Sequence, residues 1–172
     1  MISILRIGHR PFRDKRITTH VALVARAFGA DEILIDTHDE QIEENIHSVC
    51  KLFGGHFSIQ TGVFPKNIIK NWQGSIVHLT MYGETLDRTM KNLDKNKDLL
   101  IIVGAEKVPP QYYELADFNV SIGNQPHSEV AAVAIFLDRF TNQSWMNKSF
   151  DGKMTILPSK QGKKVMSSDE TD

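Results

Sequence analysis

A chain of 172 residues with 41% hydrophobic and 24% charged content has the make-up of one ordinary globular domain. Its net charge of -1 excludes an overall basic, histone-like binder but leaves room for a local basic patch. The single cysteine, Cys50, excludes an intramolecular disulfide and argues against a zinc cluster. The opening residues, Met1 to Arg6, lack the apolar core of a signal peptide, and no apolar run approaches membrane-spanning length. A cytoplasmic protein is therefore expected.

Taken in chain order, strand-like and helix-like segments alternate. Ile2 to Ile7 reads as a strand. Thr18 to Gly29 reads as a helix with Thr18 or Thr19 as N-cap and Gly29 as its stop. Glu32 to Asp36 is a short apolar strand, and Asp39 opens a second helix that ends near Gly54-Gly55. His56 to Gln60 follows as a strand, and Pro65 suits the first turn of a short helix. Ser75 to Thr80 is a buried-type strand, after which Gly83 turns into a helix through about Leu93. Asp98 to Val103 and Asp117 to Ile122 are further strands, and Ser128 to Phe140 is the last strong helix. This alternation predicts an α/β fold with a mostly parallel sheet and helices on both faces. Residues 1–150 form the expected domain; residues 151–172 read as a polar C-terminal tail, expected to be mobile.

Three segments carry chemistry. Gly8 to His20 places Arg10, Arg13, Lys15 and Arg16 against the single acid Asp14, between a strand and a helix. Ligands of parallel sheets bind outside the carboxyl ends of strands, and guanidiniums there can grip phosphates. The plainer alternative is a solvated basic loop held by Asp14. The second segment, Val77-His78-Leu79-Thr80-Met81-Tyr82-Gly83, ends a strand with a flat ring, a soft sulfur and a flexible glycine. That suits a purine or a thioether, or equally a core strand with a tyrosine-capped turn.

The third segment is the most informative. Leu99 to Val103 breaks into Gly104-Ala105-Glu106-Lys107-Val108-Pro109. About twenty residues on, Ile122-Gly123-Asn124-Gln125-Pro126-His127-Ser128-Glu129-Val130 runs into the small-residue helix Ala131 to Leu137. Such a turn-rich loop can present backbone N–H groups and short side chains to a small ligand. An N-cap box around Ser128 is the competing explanation. There is no GxGxxG after the first strand and no GxxxxGK[ST], which removes the usual dinucleotide and phosphate-loop fingerprints. The seven histidines show no HExxH or ligand-pair spacing, so no metal is expected.

The set LRIGHRPFRDKRITTHVALVARAFGA, HLTMYG, VGAEKVP and GNQPHSEVAAVAIFLDR closely resembles the archaeal tRNA 2'-O-ribose methyltransferases that act on cytidine at position 56 of the T-loop, within the SPOUT class. The match runs from about Leu5 to Arg139. The resemblance implies a C-terminal trefoil knot, S-adenosylmethionine as cofactor, tRNA as substrate, and a homodimer built on the knot helices. Patterning could not show a knot, because knots are very rare. Alternatives within reach are a SPOUT-type RNA base methyltransferase and a non-catalytic RNA-binding module; the intact GAEKVP and NQPHSEV loops argue against the latter.

The resemblance also assigns residues. Gly104 and Glu106 match the Gly-x-Glu of the class's second motif. His127-Ser128-Glu129-Val130 lies where ribose methylases carry Ser-Leu-Asn-Val, so Glu129 stands where asparagine is usual. Leu23 occupies the place of the usual first-motif arginine, which moves the catalytic role to Arg16, followed by Arg13 and His20. Cofactor contacts are expected from Leu79, Tyr82, Gly83, Val103, Gly104, Glu106, Val108, Ile122, Asn124, His127 and Val130. RNA contacts are expected from Arg10, Arg13, Lys15 and Glu129.

Overall fold

A computed structural model describes residues 1–105 and 107–167. Six strands form one sheet: β1 (Ile2–Ile7), β2 (Glu32–Ile35), β3 (Ser58–Thr61), β4 (Ser75–Thr85), β5 (Leu99–Gly104) and β6 (Phe118–Ser121). Their order is β3-β2-β1-β5-β4-β6, and every ladder is parallel. The helices are α1 (Lys15–Ala27), α2 (Glu40–Phe53), α3 (Pro65–Asn71), α4 (Leu86–Asn92), α5 (Gln111–Leu115) and α6 (Glu129–Phe140). The expected α/β architecture is the one observed.

The period-2 alternation of the strands sorts the core into two layers. Ile4, Ile33, Ile101 and Val103 face α1, α2 and α6, meeting Val21, Ala22, Ile46, Val133 and Phe136. Leu5, Leu34, Leu100 and Ile102 face the other side, where Ile69 of α3 and Tyr112 of α5 cover them. Burial on both sides explains why Leu99 to Val103 is an unbroken apolar run. Each such side chain contributes roughly 1.5–3 kcal/mol.

Two boundaries differ from the expectation. Helix α1 begins at Lys15, after the N-cap position Asp14, rather than at Thr18 or Thr19. Its first turn holds Lys15 and Arg16 and no acid, which opposes the helix dipole and hides the start from pattern reading. Gly29 (φ 96°) follows the helix end as expected. Strand β4 does not give way to a helix at Gly83. Residues 80–83 leave the ladder and the strand rejoins it, so Leu79 and Glu84 both stand opposite Val120 of β6. A Cβ on Gly83 would lie 2.4 Å from the backbone of Asn119, so the return requires glycine.

After α6 the chain makes a short 3-10 turn (Ser144–Asn147), where Trp145 stacks on Phe28 at 4.2 Å between ring centroids. Asp151 then forms a bridge with Gly54, and Phe150 lies 4.6 Å from the Arg26 guanidinium carbon. Within the polar C-terminal segment, β7 (Met154–Leu157) and β8 (Lys164–Ser167) pair as an antiparallel hairpin. No helix among the described residues is long and apolar enough to cross a membrane.

Candidate active site

Strands β2 and β3 follow β1 on one side of the sheet, whereas β5, β4 and β6 lie on the other. The reversal between β1 and β5 is where open parallel sheets place ligands, at the carboxyl ends of the strands. Two adjoining cavities occupy that end. The larger, about 980 Å3, is lined by Leu79, Thr80, Met81 and Tyr82 of β4 and by Val103, Gly104, Ala105, Lys107, Val108 and Pro109 after β5. His78, Pro110, Tyr113, His127, Glu129 and Ala132 complete it. The smaller, about 300 Å3, lies toward β1 and shares Gly104, Ala105, Lys107, Val108 and Pro109, adding Ile7, Gly8, Arg10, Asp36 and Tyr112.

The looped-out residues Thr80–Gly83 form one rim of the larger cavity, and the side chain of Asn124 ties that rim to the next loop by donating to the Met81 carbonyl (3.1 Å). Thr80 Oγ1 and the Tyr113 hydroxyl lie 2.9 Å apart. His78 is fully buried at the cavity floor, with Nδ1 2.9 Å from Asn119 Oδ1 and its ring edge-on to Tyr113. The Asn119 amide donates in turn to the Tyr113 carbonyl, so its Oδ1 faces His78 as acceptor and Nδ1 carries the hydrogen.

Burial pushes the His78 pKa below its ordinary 6.5, against a smaller opposing pull from Asn119. The folded state therefore prefers neutral His78. That stability is fully present above about pH 6.5 and is lost as pH falls through the lowered folded value. Thermal melts between pH 7.5 and 5 should show this loss, and His78→Gln should flatten the slope; an unchanged slope would refute the assignment.

The β1–α1 loop is rigidly built. Asp36 accepts from the backbone N–H groups of Gly8 (2.6 Å) and His9 (3.2 Å). The buried His9 ring lies between Asp39 (3.2 Å) and Thr18 (3.0 Å). Arg10 donates to Asp14 through Nε (2.7 Å) and Nη2 (2.9 Å), and that hydrogen bond holds the Asp14 carboxyl below its usual range despite burial. Asp14 thus does hold the basic loop, through Arg10. Arg13, Lys15, Arg16 and His20 are exposed; Lys15 sits 3.5 Å from Asp39, and Arg16 has no ion pair among the described residues.

The structure gathers Leu79, Tyr82, Val103, Gly104, Val108, His127 and Glu129 around the larger cavity. Gly83, Ile122, Asn124 and Val130 do not line it. Arg10 lines the smaller cavity, whereas Arg13, Lys15, Arg16 and His20 line neither. Glu106 lies outside the described residues. Ser128 caps α6 by accepting from Val130 N–H (3.2 Å).

One residue at this site escaped sequence reasoning. Arg6 is fully buried in central strand β1, and its Nη2 donates to Glu129 at 2.7 Å. Its Nε and Nη1 have no hydrogen-bond partner among the described residues. Burial lowers the Arg6 pKa, and Glu129 opposes that shift. The available signal was a lone cation inside an apolar run, Ile4-Leu5-Arg6-Ile7, since an arginine is almost never fully buried unless paired.

Comparison with known proteins fits this geometry. The sequence profile of a family described as tRNA ribose 2'-O-methyltransferase, aTrm56, matches residues 53–166. A Thermococcus kodakarensis protein named tRNA (cytidine(56)-2'-O)-methyltransferase is 53% identical over 174 residues, covering 96% of this chain and 97% of its own length. The chain belongs to this family. A Picrophilus torridus member of the same name is also 53% identical over 96% of the chain, but the chain spans only 48% of that protein. The chain likewise covers about half (49%) of the Thermoplasma volcanium member. Among solved structures, the SpoU methyltransferase AviRb from Streptomyces viridochromogenes, crystallised with the cofactor AdoMet, superposes with a TM-score of 0.60. At 15% identity, over 82% of this chain and 57% of that one, the match shows the shared SpoU-type fold.

Proposed function

We propose that this chain is an S-adenosylmethionine-dependent enzyme that methylates the ribose 2'-hydroxyl of cytidine 56 in the tRNA T-loop and works as a homodimer. The observation that carries the reading is the cavity at the carboxyl ends of β4 and β5, beside a rigid cationic loop, in a chain of the aTrm56 family. The reading includes the C-terminal trefoil knot that the family resemblance implies.

The cavity suits the cofactor by its make-up. Leu79, Val103 and Val108 offer apolar walls to an adenosine, while Thr80, His127 and Glu129 offer hydrogen-bonding groups at the margins. Its volume falls within the range of small-molecule sites. Bound there, S-adenosylmethionine supplies a methyl group already activated by a sulfonium leaving group. What remains for the protein is alignment of the ribose oxygen and disposal of its proton.

Arg16 takes the central role in this reading, polarising the 2'-hydroxyl or holding the adjacent phosphate. A guanidinium has no acceptor atom and cannot itself take the hydroxyl proton, so this reading leaves that proton to the adjacent RNA phosphate. Two cations in the first turn of α1 disfavour the helix, which fits a placement for binding an anion. Arg10, Arg13 and Lys15 position the RNA backbone. Glu129, set by Arg6, presents its carboxylate to the bound ligands.

The test is methyl transfer from labelled S-adenosylmethionine to an unmodified archaeal tRNA transcript, with nucleoside mapping. A 2'-O-methylcytidine in the T-loop supports the reaction, cofactor and substrate of this reading. A methylated base would replace it with a base methyltransferase. Gly104→Val should abolish cofactor binding measured by calorimetry, because Gly104 borders both cavities; unchanged affinity would place the cofactor elsewhere.

A further inference from the structure

The sequence holds nine Phe, three Tyr and two Trp, and most are buried or half-buried. The exposed ones are Phe12 (107% exposed), Phe64 (74%) and Tyr82 (81%). All three lie at the same edge of the sheet. Phe12 is in the loop leaving β1, Phe64 in the loop leaving β3, and Tyr82 in the excursion of β4. Single exposed apolar residues are normal, but three aromatics confined to the ligand-binding edge are not explained by folding.

The Phe12 position is fixed. Arg13 and Asp14 N–H groups donate to the Arg10 carbonyl (3.0 and 2.8 Å), and the Arg10–Asp14 fork closes the turn. The turn therefore holds a bare ring in solvent, with exposed Arg13, Lys15 and Arg16 following it. Phe64 precedes Pro65, and exposed Lys66 and Lys70 follow. Glu40 is an exposed acid near the same edge.

We propose that Phe12 and Phe64 are stacking platforms for unpaired bases of the RNA substrate, in a row that ends at Tyr82 on the rim of the larger cavity. This rests on the reading of the chain as an RNA methyltransferase. Aromatic faces beside cations are how single-stranded and loop RNA is held, since every base offers a π-face and every nucleotide a phosphate. In the order β3-β2-β1-β5-β4 the three rings follow alternate strands. At about 4.8 Å per strand, the strands they follow stand roughly 10 Å apart. That spacing is too wide for one continuous stack, so each ring takes a separate, splayed base. Separate rings with basic neighbours also make a poor seat for a protein helix, which needs a contiguous apolar stripe.

The experiment measures affinity for a T-loop-containing tRNA transcript by fluorescence anisotropy, alongside sedimentation mass and cofactor affinity. Phe12→Ala and Phe64→Ala should each weaken RNA binding by about ten-fold, and the pair by about 100-fold. Mass, melting temperature and cofactor affinity should stay unchanged, because both rings are largely exposed and line neither cavity. Phe12→Tyr should restore binding and Phe12→Leu should not. The proposal is overturned if the double variant binds within two-fold of the parent, or if leucine rescues as well as tyrosine. It is also overturned if the mass falls, since the rings would then seat a second copy of the chain. If the unsubstituted chain binds no RNA, the methyltransferase reading fails and takes this proposal with it.

Discussion

Arg16→Ala should lower methyl transfer by at least about 100-fold, the scale of a positioned group acting on the reacting proton. Folding should be untouched. The side chain is exposed, has no ion pair among the described residues, and opposes the dipole of α1. Its removal therefore leaves the melting temperature level or slightly raised. Cofactor affinity should also hold, because Arg16 borders neither cavity. Arg16→Lys keeps the charge but not the two-pronged donor geometry, and should recover only a minor part of the activity. Near-normal turnover in Arg16→Ala would transfer the role to Arg13 or His20, the remaining expected candidates.

Glu129→Ala should have the largest effect on stability. Arg6 is fully enclosed, and Glu129 is its ion-pair partner, so truncating the acid strands a buried charge. Breaking such a pair costs about 3 kcal/mol, which for a chain of this size lowers the melting temperature by roughly 9 °C. Glu129→Gln retains an acceptor and should cost markedly less. Arg6→Met combined with Glu129→Leu should regain much of the loss, since paired apolar replacement removes both desolvation penalties. Denaturant melts decide the matter: Glu129→Ala within 0.5 kcal/mol of the parent, an order-of-magnitude threshold for an unimportant surface change, would mean Arg6 is satisfied by another route. Because Glu129 also borders the larger cavity, the double variant should fold yet bind its ligands poorly.

Most of the sheet could be read from the chain because local signals agree with the global fold there. Leu99 to Val103 is apolar throughout because both of its faces are covered, and Asp39 and Ser128 are caps whose hydrogen bonds are visible in the structure. Failures came where a distant partner decides the outcome. The pairing of Arg6 with Glu129 spans 123 positions, and nothing local announces it. The return of β4 after Gly83 depends on β6, so Thr-Met-Tyr-Gly looked like a strand ending. The C-terminal hairpin shows little alternation of its own and is tethered through the bridge between Asp151 and Gly54. Residue types at the candidate site were legible as chemistry; which of them meet around one cavity was a matter of topology.

The return of β4 has a consequence for how the site can change. Because the excursion departs from and rejoins the sheet opposite one residue, Val120, its length is uncoupled from the register of the strands. Residues inserted between Thr80 and Gly83 would widen the mouth of the cavity while leaving every buried side chain on its own face. A one-residue insertion within Ser75 to Leu79 would instead turn the strand inside out. The fold therefore concentrates its freedom to vary at the lip of the ligand site and withholds it from the layers beneath.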